Sequence, residues 1–210
     1  MTRQLQYSEA DMTMVLPGTW ASFSLADDPE NEAKLVGDLV KRQVGTNDRL
    51  ARVRRDAREQ LKGVLSGARR AGAFRVGLSL EILPGVPFPA AMILRMIDWP
   101  IAAQPEQTLG ERLTAAYPRV AHLDLACGPV ARRGEFRDVA VGSEATTDLK
   151  LEYWVARPDG EKLVHIDVDL PTAADRELYT ELVDAIVDSI RWFPAPGTAE
   201  QPAPTSPDAS

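Results

Sequence analysis

Apolar and polar residues alternate with a period of two along much of the chain, which predicts β-strands with one buried face. The clearest case is the segment 74–82, where every even position is apolar. The segments 149–155 and 164–170 alternate in the same way around Pro158-Asp159-Gly160, a turn sequence, and so predict a hairpin. Shorter strands are predicted at 12–16, 19–25, 120–126 and 128–133.

Other segments space their apolar residues by three and four, the spacing of an amphipathic helix. One helix is predicted to begin at Asp27-Asp28-Pro29, because acids and proline suit a first turn, and a second helix fills 47–71. A short helix is predicted over 106–117 and a final amphipathic helix over 173–192. The periodicity of 90–99 fits a strand and a short helix equally well.

This order of elements predicts an α+β fold, a curved and mostly antiparallel sheet packed by a long helix pair and a C-terminal helix. The predicted domain spans 12–193, with 1–11 as an N-terminal extension. Five of the 17 residues in 194–210 are proline and the others are mostly small or polar, so this tail is predicted to be disordered.

The composition narrows the class of protein. The chain has 210 residues, a net charge of −7 and one cysteine, Cys127, which excludes an intramolecular disulfide. It shows neither the apolar core of a signal peptide nor a run of about 20 apolar residues, so a cytoplasmic location is predicted. Nineteen of the 24 basic residues are arginine, which with abundant alanine is typical of a GC-rich bacterial genome such as an actinobacterial one.

Two groups of residues raise the question of catalysis. His165, Asp167 and Asp169 alternate on one predicted strand and share a face, so they are candidate metal ligands. The alternative is that they form the solvent face of that strand, because same-face neighbours lie roughly 6.5–7 Å apart, too far to share one ion. Cys127 follows His122 and Asp124 but points to the opposite face of a strand, which favours a buried, inert thiol.

The second predicted helix carries a strong local charge. Between residues 49 and 70 there are eight basic residues and two acidic ones, an excess of six positive charges in an acidic protein. Such a stripe would attract an acidic partner, and Arg52, Arg55, Arg58 and Lys62 are the candidate contacts. The alternative is that the stripe pairs with acidic residues of the final helix, which are Asp175, Glu177, Glu181, Asp184 and Asp188. A nucleic-acid partner is disfavoured by the net acidity and the lack of a base-reading motif.

A proline-rich segment precedes a run rich in methionine. Phe88, Met92 and Met96 could line an adaptable peptide-binding groove, since methionine side chains adjust to irregular surfaces. The alternative is that these residues belong to the hydrophobic core.

Three segments together resemble the Mog1/PsbP-like fold, including the LpqN-like group of actinobacterial proteins. They are the entry at 15–23 with its Leu16-Pro17-x-x-Trp20 pattern, the hairpin at 151–160, and the closing helix at 182–193. The resemblance implies a binding or accessory protein, such as a GTPase partner, a photosystem subunit or a secretion-associated chaperone, and it carries over no catalytic residues.

The sequence therefore predicts a non-catalytic, protein-binding adaptor or chaperone-like protein without a cofactor, with a link to a bacterial secretion system as one form of it. The alternative is a metal-dependent or hydrolytic enzyme that uses the strand face of His165, Asp167 and Asp169, with Asp124 as a further candidate.

Overall fold

The computed structural model describes residues 2–17, 20–26, 29–83, 86–141, 144–171 and 175–193. Its helices are α1 (Pro29–Val44), α2 (Ala51–Arg70), α3 (Leu109–Ala116) and α4 (Arg176–Asp188). Its strands are β1 (Thr2–Tyr7), β2 (Met12–Pro17), β3 (Ala21–Ser24), β4 (Ala73–Leu83), β5 (Val86–Asp98), β6 (Ala121–Leu125), β7 (Gly128–Val141), β8 (Glu144–Ala156), β9 (Lys162–Leu170) and β10 (Arg191–Trp192).

The strands form one large and one small sheet. The large sheet has the order β3-β4-β5-β9-β8-β7-β6, and the small one has the order β1-β2-β10. All strand pairings within the described residues are antiparallel. Strand β9 lies in the middle of the large sheet, between β5 and β8, so every side chain on it has neighbours on both sides.

One face of the large sheet is buried beneath the small sheet and α4. Aliphatic residues of β9 such as Val164, Ile166 and Val168 share a core with Met14 of β2 and Val187 of α4. This face is continuous because strands of both sheets and the helix present an apolar side at their regular period. A hydrogen bond from the Val15 backbone N–H to Ser189 Oγ, 2.9 Å long, joins β2 to the end of α4.

Among the described residues, helices cover the opposite face of the large sheet only at its two ends. At one end, α1 and α2 form a helical hairpin over β3 and β4, with Phe23, Val36, Leu65 and Val76 in a shared cluster. At the other end, Leu113 of α3 packs among residues of β7, β8 and β9. A capping box between Thr108 and Glu111 starts α3 at Leu109, three residues later than the sequence pattern predicts.

The predicted α+β architecture is confirmed: the sheet is antiparallel, the long helix pair packs on it, and a helix lies near the C-terminal end. Residues 90–99, for which the sequence left strand and helix open, belong to β5 as far as Asp98. Pairing with β4 on one side and β9 on the other decides in favour of the strand. The final helix ends at Asp188, and Arg191 and Trp192 instead add an edge strand to β2.

The N-terminus differs from the prediction of an extension over 1–11. Residues 2–7 form β1, which pairs along its whole length with β2, and Tyr7 and Ala10 lie within the main core. Only Leu5 and Tyr7 of β1 turn large apolar side chains toward that core, so the segment lacks the long alternation that marks a strand in the sequence. The tail at 194–210 lies outside the described residues.

We expect Tyr7→Ala to lower the free energy of unfolding by about 3 kcal/mol, because it empties a large, fully buried site. The guanidinium of Arg75, 4.5 Å above the Tyr7 ring, would lose its cation–π contact as well. Urea denaturation measures the change. Gln6→Ala, at the exposed neighbouring position, is the control and should change stability by less than about 0.5 kcal/mol. Equal effects of the two substitutions would show that β1 does not contribute to the core.

Candidate functional site

The three candidate metal ligands lie on the half-covered face of the large sheet, between the helical hairpin and α3. His165 faces Arg95 of β5 on one side and Trp154 of β8 on the other. Asp167 faces Glu152 in the next row. The prediction of an open solvent face holds for Asp169, which is exposed, but is wrong for His165, which is 8% exposed because β9 is central and flanking side chains cover it; Asp167 is half-buried.

His165 is held as a neutral imidazole. Its Nδ1 lies 3.4 Å from Arg95 Nη1, which can only donate, so Nδ1 accepts and the proton resides on Nε2. Its Nε2 lies 3.6 Å from Glu152 Oε1, and the ring stacks on Trp154 at 5.2 Å between centroids. Burial lowers the pKa of His165 below its usual value, and the neighbouring Arg95 lowers it further, against the opposing effect of Asp167.

The carboxylates of this face are matched by cations. Asp167 lies 3.3 Å from Lys150 Nζ and 3.9 Å from Arg95 Nη2, and Glu152 accepts hydrogen bonds from Arg133. We call these six residues the charged network: Arg95, Arg133, Lys150, Glu152, His165 and Asp167. Asp169 lies next on the same side of β9. Its pKa is raised, mainly by burial and to a smaller extent by repulsion from Asp167.

The charged network leaves little for a metal ion to bind. In the part of the chain that the structure describes, no three His, Cys, Asp or Glu side chains are placed to hold one. Asp124 lies on β6, the edge strand three positions from β9, and so does not join the candidate ligands. The positive charges that already neutralise Asp167 and Glu152 would also repel a cation.

Cys127 has the properties of a structural thiol. It is buried, and burial raises its pKa to about 11, which keeps it protonated at neutral pH. Its backbone carbonyl accepts a 2.8 Å hydrogen bond from Trp192 Nε1. His122 is exposed, and its Nε2 lies 3.0 Å from the Tyr117 carbonyl.

The predicted peptide groove around Phe88, Met92 and Met96 does not exist at the surface. Phe88 and Met92 are 3% and 0% exposed and belong to the main core, and Met96 packs against that core. On β5 these three positions alternate with Arg95 and Ile97, and their side of the strand is the one covered by the small sheet and α4. No partner can reach Phe88 or Met92 in the folded protein.

An accessible apolar groove lies instead on the opposite face, between the helical hairpin and the ends of β4, β5 and β9. Its volume is about 580 Å³. We call it the hairpin groove, and its lining residues are Leu39, Val40, Gln43, Val44, Ala57, Gln60, Leu61, Val64, Leu78, Ser79, Leu80, Pro89, Ala90, Ala91, Asp169 and Pro171. Val64 and Leu80 are 51% and 44% exposed, so their apolar surface is available to another molecule.

The groove exists because α2 buries few of its side chains against the rest of the protein. Of its 20 residues, only Leu65 and Ala68 are buried. Val53 and Val64 continue the same apolar stripe, but they are exposed. The sequence predicts an amphipathic helix here, but periodicity cannot show how much of its apolar stripe the sheet covers. The sequence did contain one indication of this exposed apolar surface, which is that the apolar stripe is unusually long for a helix with so many charges.

The basic residues of α2 do not pair with the acidic residues of α4, because the two helices cover opposite faces of the large sheet. Asp184 instead pairs with Arg132 and accepts a 2.7 Å hydrogen bond from Tyr153. Asp188 accepts a hydrogen bond from the backbone N–H of Ala126, also 2.7 Å long. The sequence alternative in which α4 neutralises the stripe is therefore wrong.

The four candidate contacts lie along α2 outside the hairpin groove. Arg52, Arg55 and Lys62 are exposed, and Arg58 is half-buried. Arg52 lies 4.0 Å from Asp56, one turn along the helix. Within the described residues, Arg55, Arg58 and Lys62 form no ion pair with a carboxylate.

Comparisons with known proteins add little to this picture. No family model matches the chain, and no curated protein matches its sequence. Among solved structures it is similar to the Ran-binding protein Mog1p of Saccharomyces cerevisiae, with a TM-score of 0.41 and 10% identity over 91% of this chain and 95% of that one. A point mutant of protein Mog1 gives 0.40 and 10%, over 91% and 96% of the two chains.

These similarities concern the Mog1 part of the resemblance seen in the sequence and lend no support to its LpqN-like part. They identify no residue of this chain as functional. In the described part of the chain, no helix combines the length and the apolar character needed to cross a membrane.

We expect stability to fall as the pH drops from about 7 toward 5, in part because His165 must then take up a proton. Its pKa is lower in the folded than in the unfolded protein, so between the two values the unfolded state binds more protons. The contribution is complete above the unfolded pKa and is lost on acidification. Urea denaturation at several pH values measures it.

The substitution His165→Gln isolates this effect, because glutamine does not titrate. The difference in unfolding free energy between wild type and His165→Gln should shrink as the pH falls. A pH-independent difference for His165→Gln would mean that the imidazole is not held neutral by its surroundings.

Proposed function

We propose that this protein is a non-catalytic adaptor that binds another protein through the hairpin groove. The observation that carries the proposal is the exposed apolar lining of this groove, with Val64 and Leu80 half-open to solvent beside a volume of about 580 Å³. Apolar surface that is gathered in a concave site is typical of recognition, because its removal from water stabilises a complex.

Charge defines the chemistry of the partner. The lining itself is almost uncharged, but α2, which forms one wall, carries seven basic and two acidic residues, an excess of five positive charges. A partner segment with apolar residues toward the groove and acidic residues toward α2 satisfies both features. We therefore propose an acidic, amphipathic segment of another protein as the occupant.

A second copy of this chain is a poorer occupant. A symmetric dimer through the hairpin groove would bring two α2 helices together, each with the same positive excess, and like charges in an interface cost binding energy. The narrower predictions of a chaperone-like role, of a link to a secretion system and of a cytoplasmic location remain predictions, and the identity of a captured partner would test them.

Substitutions in the groove test the proposal. We expect Val64→Asp and Leu80→Asp each to weaken partner binding at least tenfold, because an added carboxylate loses its hydration in an apolar contact and repels acidic residues. Partners are captured with the tagged, full-length protein, and the affinity of a purified partner is then measured at low and high salt. Binding should weaken as salt increases.

Leu178→Asp is the matched control, since Leu178 is 57% exposed on α4 and lies outside the groove. It should leave the affinity unchanged, and circular dichroism should show that all three variants are folded. Equal affinity of Val64→Asp and wild type would overturn the proposal. So would a concentration-dependent dimer that Val64→Asp dissociates, or binding to anionic lipid vesicles that Val64→Asp abolishes.

A further inference from the structure

A second concave site lies on the outer seam of the helical hairpin, near its turn. Its volume is about 390 Å³, and it is lined by Lys41, Thr46, Ala51, Arg54, Arg55 and Arg58. We call it the basic cleft. It shares no lining residue with the hairpin groove, because α1 and α2 present different sides to the two sites.

Four cationic side chains therefore converge on one cleft without a compensating acid. The lining contains no carboxylate, and within the described residues none of these four forms an ion pair. Other basic residues of α2 do have acidic partners, as Arg69 has with Glu32 at 2.5 Å. Cations held close together repel one another, so an anion bound among them would be stabilised by all four.

One of the four cations, the guanidinium of Arg54, is already held in place by the protein itself. Arg54 Nη1 donates to the carbonyl of Asn47 at 2.7 Å and to that of Gly45 at 3.1 Å, which ties the guanidinium to the hairpin turn. Both hydrogen bonds come from Nη1, so they do not use the N–H groups of Nη2 and Nε. A guanidinium that is already oriented loses less conformational entropy when it binds a ligand.

We propose that the basic cleft binds a phosphoryl group, as a free phosphate compound or as a phosphorylated side chain of another protein. Near neutral pH such a group carries close to two negative charges and three acceptor oxygens. Arginine forks pair with these oxygens in a bidentate manner, and the Thr46 hydroxyl is a further donor in the lining. A single carboxylate offers half the charge and fewer acceptors.

Isothermal titration calorimetry with inorganic phosphate and with phosphoserine, at constant ionic strength, tests the proposal. We expect saturable binding that Lys41→Gln/Arg58→Gln weakens at least tenfold, since two charge-assisted contacts are removed. Binding should strengthen as the pH increases from about 5.5 to 7.5 and the second phosphate proton is lost. Sulfate, which keeps its charge over this range, should show no such dependence.

Lys34→Gln/Arg70→Gln is the matched control, because it removes the same charge from the same two helices outside the cleft. It should bind phosphate as the wild type does. Equal weakening by both double variants, or no saturable binding to the wild type, would overturn the proposal. All substituted side chains are exposed or half-buried, so the variants should remain folded.

A phosphoserine peptide distinguishes the two sources of the phosphoryl group. Tighter binding of the peptide than of free phosphoserine would support a phosphoprotein ligand, and equal binding would support a small phosphate compound. Neither result depends on the hairpin groove. Val64→Asp should leave phosphate binding unchanged, so failure of the proposed adaptor function and failure of the phosphoryl site are separable.

Discussion

Burial of the aliphatic side of β9 against the small sheet and α4 is the contact on which the other features depend. Val164, Ile166 and Val168 occupy the centre of this core. Because side chains alternate along a strand, the same contact directs His165 and Asp167 to the opposite face. That face is covered by helices only at its ends, so its middle must be stable without a helix above it.

The charged network occupies this middle part of the face, which no helix covers among the described residues. Buried or half-buried charges are costly alone, but here each carboxylate lies close to at least one cation, and His165 stays neutral between its neighbours. The arrangement spans β5, β7, β8 and β9, so it also ties the register of four strands together. Residues that resemble a catalytic cluster in the sequence are thus paired with side chains of neighbouring strands.

The helical hairpin is packed against the sheet only in part. α2 is attached near its C-terminal end, where Leu65 and Ala68 are buried and Arg69 donates to the Leu25 carbonyl at 3.1 Å. Its N-terminal half stands away from the sheet. The middle of α2, from Ala57 to Val64, lines the apolar groove, and Arg54, Arg55 and Arg58 line the basic cleft at the seam with α1. Two sites of opposite chemistry therefore arise from one incompletely buried amphipathic helix.

The sequence by itself determined the elements and the fold class, because strand and helix periods depend on local spacing and remain visible in 74–82 and along α2. It also located the positive charge of α2. Only the tertiary structure decided which faces are covered. Phe88 and Met92 are buried because the small sheet lies above them, Val64 is exposed because it flanks the side of α2 on which Leu65 is buried, and α4 cannot neutralise α2 because they cover opposite faces. Such relations join residues far apart in the chain, and no local pattern encodes them.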